Sequence, residues 1–159
     1  MVSSTTLLIL LATATATVSA AGSARIINHC PFSVTVWSVG SSVSGPVTVA
    51  ANTGTYAEPF VRDPVTGGKA LKVTLAADGL YTGAPQLNYA YSLDGDKIWY
   101  DLSSVFGDAF AGKKLVVASA ETTCPQIVWP NGSSPGGSQV KVCTSSRDVA
   151  LVLCASGEW

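Results

Sequence analysis

Two neighbouring segments in the middle of the chain alternate apolar and polar residues with a period of two. In residues 87–93 Leu and Tyr alternate with Asn, Ala and Ser, and residues 98–102 continue the same alternation. Successive side chains of a strand point to opposite faces of a sheet, so each segment predicts a half-buried strand. The intervening Asp-Gly-Asp at residues 94–96 favours a tight turn, because glycine tolerates a positive φ. We therefore predict an antiparallel hairpin with a Tyr/Leu/Ile core face. The opposite face would carry Asn88, Ala90, Ser92, Trp99 and Asp101.

Other short stretches also predict strands, and none shows the 3.6-residue period of an amphipathic helix. Residues 32–37 and 71–76 alternate like the hairpin, and residues 47–49, 115–118 and 126–129 are short candidates. Residues 149–153 are apolar on both faces, which is typical of a fully covered strand. Residues 103–110 leave room for one helical turn at most. Short strands separated by turn signals predict an all-β sandwich or barrel in a single domain.

The N-terminus predicts an export signal. Residues 1–24 contain no charged side chain, residues 7–11 are an apolar run, and small residues stand at 18–20. This pattern is typical of a secretory signal peptide, here residues 1–20, cleaved after Ala20. The alternative is an uncleaved membrane anchor, for which the apolar run is short. The predicted mature domain is then residues 21–159, secreted or associated with the cell wall, with no membrane contact after cleavage.

The four cysteines agree with an oxidising compartment. Cys30, Cys124, Cys143 and Cys154 all follow the predicted signal peptide. An even number of cysteines in a secreted chain predicts two disulfides, for which four cysteines allow three pairings. A zinc site is the alternative, but the sequence has no Cys-x-x-Cys spacing and His29 is its one histidine. We expect no metal ion and no cofactor.

Charge and composition restrict the partners further. Nine Lys and Arg against ten Asp and Glu give a net charge of −1, so the basic patch that nucleic-acid binding requires is missing. A hydrophobic content of 47% excludes a mostly disordered chain. Asn131 begins an Asn-Gly-Ser acceptor for an N-linked glycan, in a stretch rich in Gly, Pro and Ser that predicts a surface loop.

Four pieces of the sequence, in order along the chain, resemble thaumatin-like proteins. They are the opening residues 26–37, the turn at 51–56, the hairpin at 88–93 with its Trp-Tyr-Asp-Leu-Ser segment at 99–103, and the closing residues 149–154. The chain is shorter and poorer in cysteine than plant members. It most resembles the small fungal branch, which includes the blastomyces yeast-phase-specific protein family. The resemblance implies an antiparallel β-sandwich stapled by disulfides, with Cys30 paired to Cys154 and Cys124 paired to Cys143.

The resemblance also raises the question of catalysis. Some larger thaumatin-like proteins hydrolyse β-1,3-glucan with acidic residues in a cleft, and glycoside hydrolysis requires two carboxylates across the sugar. Asp101 matches one of the family's acidic positions. The family's glutamate on the preceding strand falls on Ala90, which has no carboxylate. We therefore expect no catalytic residues, with Asp101 as the one candidate.

Other charged positions of the family also lack their characteristic residues in this sequence. The family's Asp-Gly after the hairpin falls near Phe106 and Gly107, where the acid is missing, and Asp108 is close but out of register. Arg62 is only a loose counterpart of the family's cleft arginine. A pairing of Asp101 with Asp96 or Asp108 would be needed for the alternative function, a glycoside hydrolase active on β-1,3-glucan.

Aromatic residues suggest binding instead. Trp37 and Trp99 lie opposite the apolar sets of their strands, and Trp129 borders the glycosylation loop. Exposed rings of this kind stack on sugars or anchor protein interfaces. The alternative for Trp37 and Trp99 is that a second sheet or a loop covers them. With Asp101, these tryptophans are the candidate ligand-binding residues.

The sequence thus predicts a secreted, non-enzymatic protein that acts at the fungal cell wall or at a host interface. Its expected partner is a wall polysaccharide or a host surface protein, and its role is wall association, adhesion, or an effector or antimicrobial activity. A third possibility is an inhibitor of a hydrolase, which would use a protruding loop. The candidate loops are residues 59–68 and 130–138.

Overall fold

The computed structural model describes residues 21–157, so the predicted signal peptide at residues 1–20 lies outside the described residues. Within them, eleven strands and one short helix follow one another along the chain. The strands are β1 Ser23–Asn28, β2 Val34–Val39, β3 Val43–Val49, β4 Gly54–Pro59, β5 Lys69–Thr74, β6 Gln86–Asp94, β7 Lys97–Val105, β8 Leu115–Ser119, β9 Ile127–Trp129, β10 Lys141–Thr144 and β11 Val149–Leu153; the helix is α1 Gly79–Thr82.

The strands form two sheets, which confirms the predicted all-β sandwich. The five-stranded sheet has the order β4-β1-β11-β8-β9, and the six-stranded sheet has the order β10-β7-β6-β5-β2-β3. Neighbouring strands are antiparallel except β1 and β11, which run parallel. A parallel pair cannot be joined by a tight hairpin, and here the whole intervening chain connects the two strands.

The core lies between the sheets. The alternating Tyr and Leu residues of the central hairpin face inward, as predicted, and pack against the apolar side of the five-stranded sheet. Tyr89 also donates a hydrogen bond from its hydroxyl to the Val149 carbonyl across the interface, at 2.9 Å. The largest side chains that are almost completely buried are Trp37, Trp129, Tyr89, Tyr91, Tyr100, Phe110, Ile26, Leu71, Leu87, Ile98, Leu102 and Leu115.

The central hairpin has the predicted turn. Asp94 pairs with Lys97 across a two-residue loop, and Gly95 takes a φ of 59°. A glycine with positive φ at the first loop position matches the right-handed twist of the strands. The turn therefore fixes the register of the hairpin, so that Asn88, Ala90, Ser92, Trp99 and Asp101 share the side opposite the core.

Several elements differ from the sequence-based expectations, among them β4, which begins within the segment that the resemblance assigned to a turn. The opening segment forms two strands, β1 and β2, instead of one, because residues 29–33 turn the chain between the two sheets. Residues 103–105 complete β7, and the helical turn is α1 instead. The strand β10 was not predicted, since four residues that include a Lys and a Cys carry no apolar alternation.

Two disulfides have the pairing that the resemblance implies. Cys30 is bonded to Cys154 and Cys124 to Cys143. The first joins the chain just after β1 to the chain just after β11, and the second ties the loop before β9 to β10. In the chain-entropy model, loops of 124 and 19 residues correspond to about 5 and about 3 kcal/mol of stabilisation.

Candidate functional site

The candidate residues other than Trp129 lie on the outer face, which we define as the side of the six-stranded sheet that points away from the core. One row across this face consists of Asp101, Ala90, Ala70 and Val39, on β7, β6, β5 and β2 in turn. The row beside it pairs Trp99 with Val142 on β10 and with Ser92 on β6. Small side chains in the middle of the face leave room above the sheet.

Trp99 stands between two depressions of the outer face, with 42% of its surface exposed. One depression of about 170 Å³ is lined by Trp99, Asp101, Ala90 and Val140, among others. The other, of about 350 Å³, lies on the opposite side of the indole, toward Val142. The ring is therefore accessible from both sides, which is the geometry that stacking against a planar or ring-shaped ligand requires.

Asp101 lies beside Trp99 and is partly exposed. Its carboxylate has no hydrogen-bond or ion-pair partner within residues 21–157. The residue directly opposite on β6 is Ala90. The position where the resemblance would place a glutamate therefore lies across the strand pair from Asp101, and it has no carboxylate. The outer face thus offers one unpaired acceptor group at this position.

Within residues 21–157, the structure brings neither of the candidate partner carboxylates, Asp96 and Asp108, to Asp101. Asp96 precedes β7, and five residues of strand separate it from Asp101 by about 16 Å. Asp108 follows the end of β7, whose last residue, Val105, is already about 13 Å from Asp101 along the strand. The separation of Asp96 from Asp101 exceeds the roughly 6.5–9.5 Å of an inverting pair, and Asp108 does not line the depression beside Asp101. A cleft of about 300 Å³ between β7 and the loop at residues 134–140 adjoins the smaller depression at Asp101. Asp101 is the one carboxylate among the described residues that line this cleft or the smaller depression.

Two of the predicted ligand-binding tryptophans are buried, so their prediction as exposed binding residues is wrong. Trp37 lies on the outer face but is 0% exposed. The neighbouring edge strand β3 covers it, and a Cβ on Gly45 would lie 3.2 Å from the Trp37 Cδ1 atom. The alternative that Trp37 is covered is therefore correct.

Trp129 is also 0% exposed. It shares the inward side of β9 with Ile127, while Val128 points outward. Its indole Nε1 donates to Gln139 Oε1 at 3.0 Å, which ties the following loop to the core. The alternation within residues 127–129 could have indicated this orientation, whereas the position beside a loop could not.

Arg62 is not brought to Asp101. Arg62 is exposed and does not line either cavity beside Asp101. The loop at residues 59–68 is fixed by Asp63, whose carboxylate accepts backbone hydrogen bonds from Ser41 at 2.8 Å and Thr66 at 2.8 Å. These hydrogen bonds hold the pKa of Asp63 well below its ordinary value, and the bond from Thr66 contributes most to this shift.

A polar cluster that the sequence did not indicate joins the two sheets on the core side. Glu58 on β4 accepts hydrogen bonds from the hydroxyls of Tyr91, at 2.5 Å, and Tyr56, at 2.9 Å. Lys69 lies 3.3 Å from the same carboxylate. Burial opposes ionisation of Glu58, but the hydrogen bonds from Tyr91 and Tyr56 and the Lys69 charge outweigh it. The pKa of Glu58 is therefore lowered.

Burial and the neighbouring Glu58 charge raise the pKa of both tyrosines of this cluster, Tyr56 and Tyr91. Both hydroxyls therefore stay protonated and donate to the carboxylate at neutral pH. Period two could have placed Tyr56 and Glu58 on one side of β4. It could not have shown that this side meets Tyr91 and Lys69 of the other sheet.

Asn131, the predicted glycan acceptor, is exposed just after β9. Its carbonyl accepts a hydrogen bond from Gly112 N at 2.7 Å, which fixes the backbone while leaving the side chain at the surface. Its glycosylation stays a prediction. Within residues 21–157 the structure contains no helix with the length and hydropathy that crossing a bilayer requires.

The sandwich with its two disulfides defines a thaumatin-like protein. It is similar to the crystal structure of the protein elicitor MoHrip2 from Magnaporthe oryzae, with a TM-score of 0.69 and 26% identity over 85% of this chain and 100% of that one. It also shares its fold with the thaumatin-like xylanase inhibitor TLXI, with a TM-score of 0.55 and 11% identity over 83% of this chain and 99% of that one.

The sequence narrows this class to a family. Residues 11–155 match the Blastomyces yeast-phase-specific protein family, and the chain belongs to it. The secreted thaumatin-like protein calA of Emericella nidulans is 27% identical over 85% of this chain and 82% of its own length. The antigenic thaumatin-like protein of Arthroderma benhamiae is 25% identical over 86% of this chain and 72% of its own length.

Proposed function

We propose that the protein is a secreted, non-enzymatic thaumatin-like protein that binds a ligand at the fungal cell wall or host interface through the Trp99 side of its outer face. The observation that carries the proposal is an exposed Trp99 beside Asp101, whose cross-strand neighbour is Ala90. Such a site can stack on and hydrogen-bond a ligand. It lacks the second acid that the hydrolytic alternative needs.

A wall polysaccharide is the first ligand to test. The Trp99 ring is open to a depression on each side, so a sugar chain can cross over it with one ring stacked on the indole. The Asp101 carboxylate and the Ser92 hydroxyl border the smaller depression, where they can bond sugar hydroxyls. The predicted signal peptide and the relative named as secreted support a site of action outside the cell.

The test is a pull-down of the purified protein on insoluble β-1,3-glucan, chitin and intact fungal wall, with released reducing sugar assayed in the supernatant. We expect binding without release, and a bound fraction that falls about tenfold in Trp99→Ala. Tyr81→Ala is the matched control, because Tyr81 is an exposed aromatic residue on α1, away from the two depressions.

Sugar release that disappears in Asp101→Asn would contradict the non-enzymatic proposal and support the glycoside hydrolase. No binding to any of the three solids would remove the wall polysaccharide as ligand. The search for a ligand would then turn to host surface proteins. The structural neighbour named as a protein elicitor is a reason to test them.

The inhibitor alternative rests on the loops at residues 59–68 and 130–138. The first of them is rigidly held by Asp63, as an inhibitory loop must be. The structural neighbour named as a xylanase inhibitor supports this alternative through its fold alone. Inhibition of a xylanase or a protease by the purified protein, retained in Trp99→Ala, would favour this alternative over the binding site at Trp99.

A further inference from the structure

The smaller depression beside Trp99 has a mainly apolar lining and a single charge. Among the described residues that line it, Asp101 alone is charged, and the others are an alanine, a serine, a valine and three aromatic residues. The hydroxyls of its two tyrosines donate to acceptors on the five-stranded side of the sandwich. The Asp101 carboxylate therefore stands next to an indole with no donor from the chain directed to it.

The lysines of β5 do not neutralise this charge. Lys69 lies 3.3 Å from the Glu58 carboxylate, which it balances. Lys72 donates to Gln86 Oε1 at 3.4 Å. Gln86 lies toward the far end of the outer face, so this contact draws the Lys72 ammonium group away from Asp101.

The lysines of β7 and β10 are also directed elsewhere. Lys97 is separated from Asp101 by about 13 Å of strand. Together with Asp96 it lines the larger depression on the other side of the indole, so that depression receives one charge of each sign. Lys141 pairs with the inward-facing Tyr100 and therefore lies on the core side of β10. The smaller depression thus keeps an uncompensated negative charge.

The spacing of Trp99 and Asp101 fits a sugar ring that carries a positive charge. The two residues are neighbours on one side of β7, about 7 Å apart, so a ring stacked on the indole reaches the carboxylate with a substituent at its edge. A hydroxyl there would leave the charge unbalanced. An ammonium group would form a charge-assisted hydrogen bond of about 2.8 Å and balance it, and it also interacts favourably with an indole.

We propose that the smaller depression selects a polysaccharide with free amino groups, in which a glucosamine ring stacks on Trp99 while its ammonium group pairs with Asp101. This inference rests on the proposed function and names the class of polysaccharide that the site prefers. Neutral β-glucan and fully acetylated chitin lack the positive charge, so they would leave the carboxylate unpaired.

The probe is chitosan, the polymer of glucosamine, presented as beads. The comparison is with the same beads after their amino groups have been acetylated, which removes the charge and keeps the sugar backbone. We expect the wild-type protein to bind the untreated beads at least about tenfold more tightly. In Asp101→Asn this preference should disappear, while the affinity for the acetylated beads changes by less than about twofold. Trp99→Ala should weaken binding to both kinds of bead, because both rings use the indole.

The control has to exclude simple ion exchange between an acidic protein and a cationic polymer. Asp108→Asn makes the same change in net charge, at an exposed residue that lines neither of the two depressions. Its affinity for chitosan should stay within about twofold of the wild-type value, since exposed charges away from the site are screened by salt. Equal losses in Asp108→Asn and Asp101→Asn would contradict the proposal.

A lysine oligomer separates an amino sugar from a basic segment of a partner protein. Glucosamine tetramer and tetralysine carry a similar number of amino groups, and isothermal calorimetry measures the affinity of the protein for each. We expect the sugar to bind at least about tenfold more tightly, because only its rings stack on the indole. Tetralysine that binds equally well or better would overturn the assignment to a sugar.

Failure of this inference can be told from failure of the proposed function. Equal binding to untreated and acetylated beads, lost for both in Trp99→Ala, would overturn the preference for amino groups and keep the polysaccharide site. If the wild-type protein binds neither chitosan nor glucan, chitin or intact wall, both proposals are wrong. A preference for chitosan that survives in Asp101→Asn would contradict the role of Asp101 alone.

Discussion

Trp37 and Trp99 lie on the same outer face of the six-stranded sheet, near its opposite edges, and have opposite environments. Trp37 is 0% exposed and Trp99 is 42% exposed. The edge strand β3 is seven residues long and lays Gly45 against Trp37, whereas β10 has four residues and offers only Val142 beside Trp99. Alternation along a strand sets the face of a side chain, but the neighbouring edge strand decides whether that side chain is available to a ligand.

The comparison predicts the largest loss of stability at Trp37. Truncation of a fully buried Trp to Ala removes its packing and leaves a cavity, so Trp37→Ala should lower the free energy of unfolding by about 3–5 kcal/mol. Urea unfolding followed by far-ultraviolet circular dichroism measures this. Trp37→Phe is the control and should lose less. A loss below about 1 kcal/mol for the alanine variant would show that β3 does not pack on the indole as described.

The Trp99 edge depends instead on a covalent bond. Replacing both Cys124 and Cys143 with Ser should cost about 3 kcal/mol of stability, and it should loosen β10 and shift the fluorescence of the adjacent Trp99. The matched control replaces Cys30 and Cys154. That variant should lose more stability but leave the native Trp99 emission unchanged. Equal spectral changes in the two variants would contradict a local role for the first bridge.

The Glu58 cluster, which joins β4 to Tyr91 on β6 and to Lys69 on β5, should make the fold sensitive to acid. The pKa of Glu58 is lower in the folded protein than its ordinary value of 4.5. Its ionised form therefore stabilises the fold above that value, and this contribution is lost as the pH falls through the folded pKa. At pH 7, Glu58→Gln should cost about 1–3 kcal/mol.

The difference between wild type and Glu58→Gln should shrink as the wild-type carboxyl becomes protonated. Unfolding free energies of the two proteins, measured from neutral to acid pH, test this. Asp101→Asn is the control, since its carboxylate has no partner among the described residues. A difference that stays constant with pH would contradict the ionised cluster.

The smallest effect on stability is expected at Trp99. Trp99→Ala removes a partly exposed side chain, so its free energy of unfolding should change by less than about 1 kcal/mol, while binding at the outer face is lost. Trp99→Phe keeps an aromatic face and should retain most of the binding. A loss of stability in Trp99→Ala as large as that in Trp37→Ala would mean that the two edges are equally covered. The binding site would then have to lie elsewhere on the protein.

The fold was predictable where the pattern is local. Period two in residues 87–102 gives the hairpin, its turn and both of its faces, because a strand's alternation is independent of what packs on it. The burial of Trp37 was not predictable, because residues 43–46 of β3 have no apolar alternation that would reveal a covering strand. The Cys pairing came from the family resemblance, since spacing leaves three pairings open.

Of the candidate site, the sequence could predict Asp101, its neighbour Trp99 and the Ala90 that replaces the second acid. The register of the hairpin places the three residues on one face, and the family resemblance singles out Asp101 and the position of Ala90. The sequence could not predict the cleft along β7, because that cleft exists only where β10 stops at Lys141 and two left-handed glycines turn the chain away. A gap between strands of different length depends on two segments that lie far apart in sequence.

The position of β11 has a consequence for how the chain reaches this structure. Among the described strands β11 is the last to be synthesised, yet it lies in the centre of the five-stranded sheet, between β1 and β8. That sheet therefore cannot be completed until β11 has been synthesised. The first strand, β1, can already pair with β4, but it must wait for its second partner, which lies more than a hundred residues further along the chain. Pairings of this range are slow to form. We expect the six-stranded sheet, whose central hairpin is local, to form first.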